Sequence, residues 1–466
     1  MSDRELRDNN PDDYAEAHPR PIAGPRRPRE IWTGRSEVWL SEVSADPAEP
    51  MRNMAGGGLR VSNRMLSRVL ERERRRKQAR SLGVDVARGF ALLGMFAVHI
   101  LPAFTGERPT VMWMILAGNA ASLFAVLAGI SFSFNSGAER PSRGQALVRA
   151  RANIVIRAIL LMTIGAGINQ LDLAAYDILP YFGAMFLLIL PFVSLRARSL
   201  LLIGTAMILI MPVLRYLLHQ QIDDLGRYPN PTFATIAADP LGVLATLSVT
   251  GIYPALTWIG LICLGMGVGR LKLQHTNPRL LLIVAGTFAI LLAIGVSALI
   301  VDRFDGYQAI VNAMPDRSYD AADDFMVFGP TGPLPTGSPG WLLTRGPHTN
   351  TPFALVLGAG FSLLILGLFI LLARWPRLLG PLADIGRMPM TLYISHLVFI
   401  TVAPENMQTL WLFLVQVFAA FGFASLWFMF ARRGPVESAV TFTSRAVLKG
   451  LRLGQASQPE MPRARR

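Results

Sequence analysis

Long apolar stretches separated by short polar connections dominate this chain. Ten stretches of about 17 to 24 residues follow its polar first part, each long enough for a helix to cross roughly 30 Å of hydrocarbon. They lie near 86–105, 112–134, 153–170, 176–194, 198–217, 251–270, 280–301, 352–373, 386–403 and 408–431. No strict apolar/polar alternation runs through them, which argues against a β-barrel. Because only intrahelical hydrogen bonds satisfy such backbone in lipid, the pattern predicts an all-α, polytopic transmembrane helical bundle of about ten helices.

The arginine and lysine residues indicate how the bundle is oriented. Alternate connections are rich in basic residues, and cytoplasmic connections usually carry that excess. The predicted cytoplasmic connections contain Arg140, Arg143, Arg149, Arg151, Arg196, Arg198, Arg270, Lys272, Arg279, Arg374 and Arg377. We therefore expect both termini in the cytoplasm and the bundle in the plasma (inner) membrane. The first 80 residues lack an early apolar core, so no cleavable signal peptide is expected.

The remaining parts of the chain differ in composition from the bundle, which is predicted over 81–432. Residues 1–58 are polar and rich in proline and arginine, and we expect them to be disordered. In 59–80 an arginine recurs every fourth residue, which indicates a basic amphipathic juxtamembrane helix or a solvated charged linker. Residues 433–466 form a basic tail. Outer loops are predicted at 218–250 and 302–351. The second is expected to lack regular structure and to be either a lid over an outward-facing site or a solvated spacer.

Composition narrows the classes of partner and cofactor. Of the 466 residues 52% are hydrophobic and 16% charged, whereas soluble proteins average about 25% charged. The net charge of +14 sits in tails and loops, so membrane lipids are the expected partners and nucleic acid is not. The single cysteine, Cys263, excludes a disulfide framework, and no zinc-type spacing occurs, so no metal is expected. A homodimer is kept as one candidate assembly.

Ionisable residues inside apolar segments are candidates for function, since lipid makes them costly. In the first segment, Asp85 and Arg88 can pair, and His99 lies eleven residues further on, about 16 Å along a helix axis. A neutral imidazole at that depth can act as a general base or can pack against a neighbouring helix. Asp177 or Asp172 can orient His99, or both can be ordinary residues of a polar loop.

Further candidates occur in other segments. Arg157 lies in the third segment, where it can hold an anion or extend towards lipid phosphate. Arg387 and His396 lie in the ninth segment, and His396 can serve in packing. His348 precedes the eighth segment on the outer side, where it can face a substrate.

Five motifs in order resemble bacterial heparan-α-glucosaminide N-acetyltransferase-like membrane proteins. They are Ser81–Asp85 with Arg88-Gly89 and Ala97-Val98-His99, then Ser122–Gly129, Asp177–Gly183, Tyr253–Trp258 and Gly386–His396. The likeness covers about residues 80–432. It implies an acyltransferase fold of ten or eleven helices that moves an acetyl group from acetyl-CoA, or another acyl-CoA, to an amino sugar or sugar hydroxyl beyond the membrane.

The resemblance also implies roles for individual residues. His99 is the expected catalytic base, with Asp177. In the animal heparan enzyme the catalytic histidine lies in the outer loop after the first helix; the corresponding loop here, 106–111, contains no histidine, so His348 is the alternative base. The residues expected to hold the CoA phosphates are Arg88, Arg151, Arg157 and Arg387. The residues expected to shape the acceptor pocket, for an envelope glycan or glycolipid, are Asp172, Trp258 and His396. The alternatives are a transporter or flippase for a lipid or small molecule, and a non-catalytic membrane scaffold.

Overall fold

The structure is a computed structural model of the chain. It describes residues 63–219, 221–222, 225–271, 278–330, 332, 334–335, 338–404 and 408–453, with side chains from residue 82 onward except those of 219 and 278. The tail predicted over 1–58 lies outside the described residues. So do the first four residues of the predicted basic helix and the tail's last thirteen residues, 454–466.

The described residues are almost entirely helical. The helices are α1 Asn63–Ile100, α2 Val111–Leu116, α3 Asn119–Asn135, α4 Gly144–Ile168, α5 Leu179–Leu188, α6 Ala197–His219, α7 Phe233–Ala238, α8 Pro240–Ala245, α9 Ala255–Arg270, α10 Pro278–Arg303, α11 Gly306–Ala313, α12 Tyr319–Phe328, α13 Pro352–Leu372, α14 Pro376–Arg387, α15 Pro389–Val402, α16 Thr409–Phe430 and α17 Pro435–Gly450. Short 3₁₀ turns occur at Asn169–Leu171, Leu190–Ser194 and Pro339–Leu343, and a π turn occurs at Thr246–Thr250. Two short strands, β1 Phe104–Thr105 and β2 Arg108–Pro109, pair antiparallel.

Helix lengths confirm the predicted helical bundle. Within the described residues, seven helices are long and apolar enough to cross a membrane: those at Leu82–Ile100, Val111–Asn135, Gly144–Leu171, Ala197–Leu218, Arg279–Arg303, Pro352–Leu372 and Thr409–Phe430. Two more spans result if each bent pair counts as one; the second pair, α14 and α15, bends by 71°. The fourth predicted segment, 176–194, corresponds to α5, which is shorter, and the 3₁₀ turn after it.

The first helix is longer than its apolar segment. It runs without interruption from Asn63 to Ile100, so the backbone of most of the predicted basic helix continues into the first span. Whether that part rests on a membrane surface stays a prediction.

Close helix crossings hold the centre of the bundle together. Helix α9 packs between α3 and α6, and α1 packs against α14, α13 and α3. At the α3–α9 crossing, a Cβ on Gly129 would overlap the Ile262 carbonyl oxygen, and one on Gly265 would overlap that of Val126. Small residues allow this approach, and dispersion contacts over it substitute for the hydrophobic effect that is absent between helices in lipid.

The loop predicted over 302–351 to lack regular structure is instead folded. It contains α11, α12 and a 3₁₀ turn, which enclose a separate apolar core that includes Ile310, Phe325 and Trp341. The prediction was wrong because the aspartates and the Gly-Pro run dominated the sequence pattern, whereas the buried apolar residues are scattered between them. The Trp113 indole N–H donates to the Val327 carbonyl at 3.2 Å, which fastens this unit to α2.

The residues after the last span also form structure. Helix α17 packs against α4 and α15 within the region predicted as a tail. Its Glu437 carboxylate accepts from the backbone N–H groups of Met390 at 2.7 Å and Thr391 at 3.1 Å. A carboxylate on free N–H groups stabilises a helix start, so Glu437 holds the first turn of α15 at the break after α14.

Candidate functional site

The central feature of the bundle is a chain of hydrogen bonds that links three helices. His99, near the end of α1, places its Nδ1 2.8 Å from Nε2 of His396 on α15. The Nδ1 of His396 lies 2.8 Å from Oε1 of Gln416 on α16. His396 is 1% exposed, whereas His99 is half-buried and so is open on one side. The predicted base and a predicted pocket residue are thus joined directly.

The Gln416 amide determines which nitrogens carry protons. The amide orientation is assigned from the hydrogen-bond network. With its oxygen towards His396, the Nδ1 of a neutral His396 is the donor and its Nε2 is the acceptor. The Nδ1 of His99 therefore donates, and its Nε2 keeps a lone pair. A histidine held in this tautomer is prepared to accept a proton from a substrate.

Aromatic packing holds the His396 ring in position. The ring of Phe96 stacks on that of His396, with centroids 4.3 Å apart and planes 18° apart. Phe96 is 1% exposed. Because Phe96 lies one turn before His99 on α1, the same helix that presents the base also fixes its partner.

His348 lies in a tightly ordered loop close to His99. The two imidazoles are near enough to interact electrostatically. His348 and Asn350 both have positive φ, 57° and 56°, and the Asn350 side-chain amide donates to the His348 carbonyl at 2.8 Å. The ring of His348 meets that of Tyr253 edge-on at 5.3 Å, and burial lowers its pKa to about 4. His348 is therefore neutral at neutral pH and keeps an unused, buried Nδ1.

Buried polar groups hold this loop from below. The guanidinium of Arg215, 3% exposed, donates to the carbonyls of Val249 at 2.6 Å, Gly251 at 3.1 Å and Thr349 at 3.4 Å. The Trp258 indole N–H donates to Asn350 Oδ1 at 2.5 Å.

Trp258 was predicted to line the acceptor pocket, but it is only 2% exposed and its donor is used by Asn350. It supports the His348 loop instead. An indole buries a large apolar area and needs one hydrogen-bond acceptor, and Asn350 supplies it.

The two aspartates do not contact His99. Asp177 is fully buried, and its Oδ1 accepts from the backbone N–H of Leu179 at 2.9 Å, which caps α5. Burial is the main cause that raises the pKa of Asp177 to about 7, and the Tyr393 hydroxyl interacts with it. Asp172 is exposed in a left-handed turn. The imidazole of His396 takes the position beside His99 that was predicted for a carboxylate.

The opposite end of the bundle carries the predicted cofactor-binding arginines. We call it the Arg88 end, and the end with His348 the His348 end. Arg88 pairs with Asp85 at 3.0 Å and also donates to Gly386 O and Ser131 Oγ. Arg387 pairs with Asp384 at 2.9 Å, and its guanidinium lies 3.9 Å from the centre of the Phe428 ring.

Both arginines thus use donors on partners inside the protein. Such partners are needed because a partly buried cation is stable only when its donors are used. Arg151 is engaged in the same way, through Nε and the Leu190 carbonyl at 3.1 Å. Arg157 lines a cleft between α3 and α4.

Two residues were missed in the sequence. Gln416 is the one amide or charged side chain in the apolar run 409–430, and polar residues in spans are functional candidates, so that signal was available. Arg270 was considered only for orientation, yet it is 2% exposed. Among the described residues, no cluster of three or more His, Cys, Asp or Glu side chains is arranged to hold a metal ion.

Comparisons with known proteins agree with the resemblance. Residues 80–303 match the model of the heparan-alpha-glucosaminide N-acetyltransferase catalytic domain. The matched range includes Arg88, His99, Asp177, Trp258 and Arg270. A relative from Bacillus acidopullulyticus, described as an uncharacterized 39.9 kDa protein in the amylase 3′ region, is 24% identical over 375 residues. That alignment covers 76% of this chain and 90% of the relative.

Proposed function

Because residues 80–303 of this chain belong to the heparan-alpha-glucosaminide N-acetyltransferase catalytic-domain family, we propose that the protein is a membrane-bound acyltransferase. It transfers an acetyl or other acyl group from a cytoplasmic acyl-CoA to an extracytoplasmic sugar or glycolipid. The observation that carries this proposal is the hydrogen-bonded chain His99–His396–Gln416. It provides an oriented base on the first helix of the family-matched region.

In the proposed reaction His99 is the base. Its Nε2 removes the proton of the acceptor hydroxyl or amine while the acceptor oxygen or nitrogen forms a bond to the thioester carbonyl carbon. When the carbon–sulfur bond breaks, the proton passes from His99 to the leaving thiolate, so free CoA is released. His396 stabilises the imidazolium through the shared hydrogen bond, since its Nε2 is the acceptor for His99 Nδ1.

The geometry of α1 suits a reaction between the two sides of a membrane. Arg88 and His99 lie eleven residues apart, about 16 Å along the helix axis. An acyl donor whose polar head stays at the Arg88 end can therefore extend its thioester arm towards His99. The rings of His348 and Tyr253 contact each other in the loop near His99, and the proposal places the acceptor at that end.

The direct test is acyl transfer by the purified full chain. The protein in detergent is incubated with radiolabelled acetyl-CoA and an acceptor extract of bacterial envelope lipids and glycans. Three forms are compared: wild type, His99→Gln, and Asn312→Gln at an exposed position of α11. We expect label in the extract and CoA release from wild type and Asn312→Gln. In His99→Gln the rate should fall by roughly 10²- to 10⁴-fold.

The other results separate the alternatives. Transfer that survives in His99→Gln moves the base to His348. If wild type neither binds acetyl-CoA nor releases CoA, the acyltransferase proposal is wrong. Transport is then the function to test, with reconstituted vesicles.

A further inference from the structure

Arg270, the last residue of α9, is a buried cation at the Arg88 end with part of its hydrogen-bonding capacity unused. Its Nη2 donates to Ser136 Oγ at 3.0 Å and to the Val193 carbonyl at 2.6 Å. Its Nε and Nη1 are buried and have no hydrogen-bond partner. No carboxylate of the described residues forms an ion pair with it, whereas Arg88 pairs with Asp85 and Arg387 with Asp384 at the same end. A buried guanidinium without a counter-charge is unfavourable, which points to an anion that binds there.

A cleft lies directly beside this guanidinium. Ser136, which accepts from Arg270, is also one of the residues that line the cleft between the end of α3 and the first half of α4. The cleft is narrow: about 10 Å³ of it can take the centre of a water-sized sphere, which is room for about one water molecule. Its lining residues are Phe132, Asn135, Ser136, Ala150, Asn153, Ile154 and Arg157. It is thus open to solvent and lined by a second arginine, two amides and a hydroxyl.

A third unused group lies next to the same arginine. Ser133 is fully buried, and its Oγ has no hydrogen-bond partner. It faces the residue before Arg270, because a Cβ on Gly269 would come within 2.9 Å of Ser133 Oγ. Two N–H-bearing nitrogens and a hydroxyl therefore remain unsatisfied in one place, whereas buried polar groups in proteins are nearly always paired.

We propose that Arg270, Ser136 and Arg157 form a binding site for a phosphate or pyrophosphate group. The planar guanidinium presents its donors in a fork that matches phosphate oxygens. Two sources carry that chemistry here: the CoA moiety of the donor, and the headgroup of a membrane phospholipid. The choice of CoA rests on the proposed function, whereas the phosphate site does not.

The position of Arg270 suits an acyl-CoA donor that extends through the bundle. Arg270 and Trp258 lie twelve residues apart on α9, about 18 Å along the axis. Trp258 contacts Asn350, two residues from His348. Arg270 therefore lies about 18 Å along α9 from the residue that holds the His348 loop.

The test measures CoA binding to the full chain in detergent by calorimetry, with inorganic pyrophosphate as competitor. Native mass spectrometry of the same samples counts phospholipids that remain bound. The variants are Arg270→Gln, which removes the cation, and Asn153→Leu, which fills the cleft without changing Arg270. Arg198→Gln is the matched control, since Arg198 is exposed on α6 at the same end. The melting temperature of each variant establishes that it is folded.

We expect CoA to bind about 10- to 100-fold more weakly to Arg270→Gln and Asn153→Leu, because each loses charge-assisted hydrogen bonds or the space for them. Binding to Arg198→Gln should stay within about twofold, since an exposed charge contributes little. If all folded variants bind CoA equally well, CoA is not the ligand of the Arg270 site, and the acyltransferase proposal still stands.

The phospholipid measurement tests the second source of the phosphate group. If wild type does not bind CoA but retains a phospholipid that both cleft variants lose, the phosphate site is supported and the acyl-CoA donor is not. If neither CoA nor retained phospholipid differs between wild type and the cleft variants, there is no phosphate site at Arg270.

Discussion

His99 Nδ1 and His396 Nε2 lie 2.8 Å apart, although 297 residues separate them in the chain. Two neutral imidazoles can share one hydrogen bond only if one donates and the other accepts, so the protonation of one ring determines that of the other. Gln416, at the far end of this pair, makes that choice.

Gln416→Leu should lower kcat for acyl transfer roughly 10- to 100-fold with little change in KM, as for other residues that orient a functional histidine. Leucine has a similar volume but no acceptor, so His396 can take the tautomer that makes its Nε2 a donor. Gln416→Glu keeps a carboxyl oxygen as acceptor and should restore much of the rate. Steady-state kinetics on all three forms provide the measurement. Equal rates in Leu and Glu variants would show that Gln416 does not act through its oxygen.

The stability of the His348 loop should decrease in acid. The folded pKa of His348 is about 4 against 6.5 for an unperturbed histidine. Its contribution to stability is therefore complete above pH 6.5 and is lost as the pH falls towards 4. Between pH 7.5 and 5, wild type should lose about 2 kcal/mol relative to His348→Gln. Thermal unfolding at both pH values measures this, and parallel curves would contradict it.

Asp177 should give the opposite dependence. Its folded pKa is about 7 against 3.8, so the destabilisation from this buried carboxyl is absent below pH 3.8, grows as the pH rises from 3.8 towards 7, and is complete above 7. Asp177→Asn keeps an oxygen that can cap α5 but does not ionise. The stability of wild type relative to this variant should fall by about 2–3 kcal/mol from pH 5 to pH 8. A difference that does not change with pH would place the titration elsewhere.

The crossing of α1 and α14 should not tolerate a methyl group. A Cβ on Gly386 would overlap the Asp85 carbonyl oxygen, whereas a Cβ on Gly295 of α10 meets nothing within 4 Å. Gly386→Ala should destabilise the protein by about 1–3 kcal/mol. Gly295→Ala should be neutral or stabilise by up to about 1 kcal/mol. Denaturation of the two single variants compares them, and equal effects would mean that the crossing can spread without cost.

The orientation can be tested with the chain's own cysteine content. Cys263 is the single cysteine and is buried, so an introduced cysteine provides the accessible thiol. With both termini in the cytoplasm, Asn312→Cys should react with a membrane-impermeant maleimide in intact cells. Arg198→Cys should react only after the inner membrane is made permeable. The reverse pattern would place the His348 end inside, contrary to the distribution of basic residues.

The sequence alone determined the class of fold and where the helices lie. Hydrophobicity over about 20 residues is a local property, and a lipid environment leaves helical hydrogen bonding as the one solution for such a run. That is why the predicted segments correspond to α1, α3, α4, α6, α10, α13 and α16. The breaks between α8 and α9 and between α14 and α15 were not predicted, because α8 was assigned to the outer loop at 218–250 and most of α14 to the connection before the ninth segment.

The tertiary structure decided which polar groups meet. His99 and His396 were both candidates from the sequence, but their contact depends on how α1 and α15 pack. Asp177 was predicted to assist the base and Trp258 to line the acceptor pocket, yet Asp177 caps α5 and Trp258 holds Asn350. Arg88 and Arg387 form ion pairs with carboxylates three residues away, whereas no carboxylate of the described residues pairs with Arg270. The cost of leaving a buried polar group unpaired depends on its three-dimensional neighbours, and residue order along the chain does not specify those neighbours.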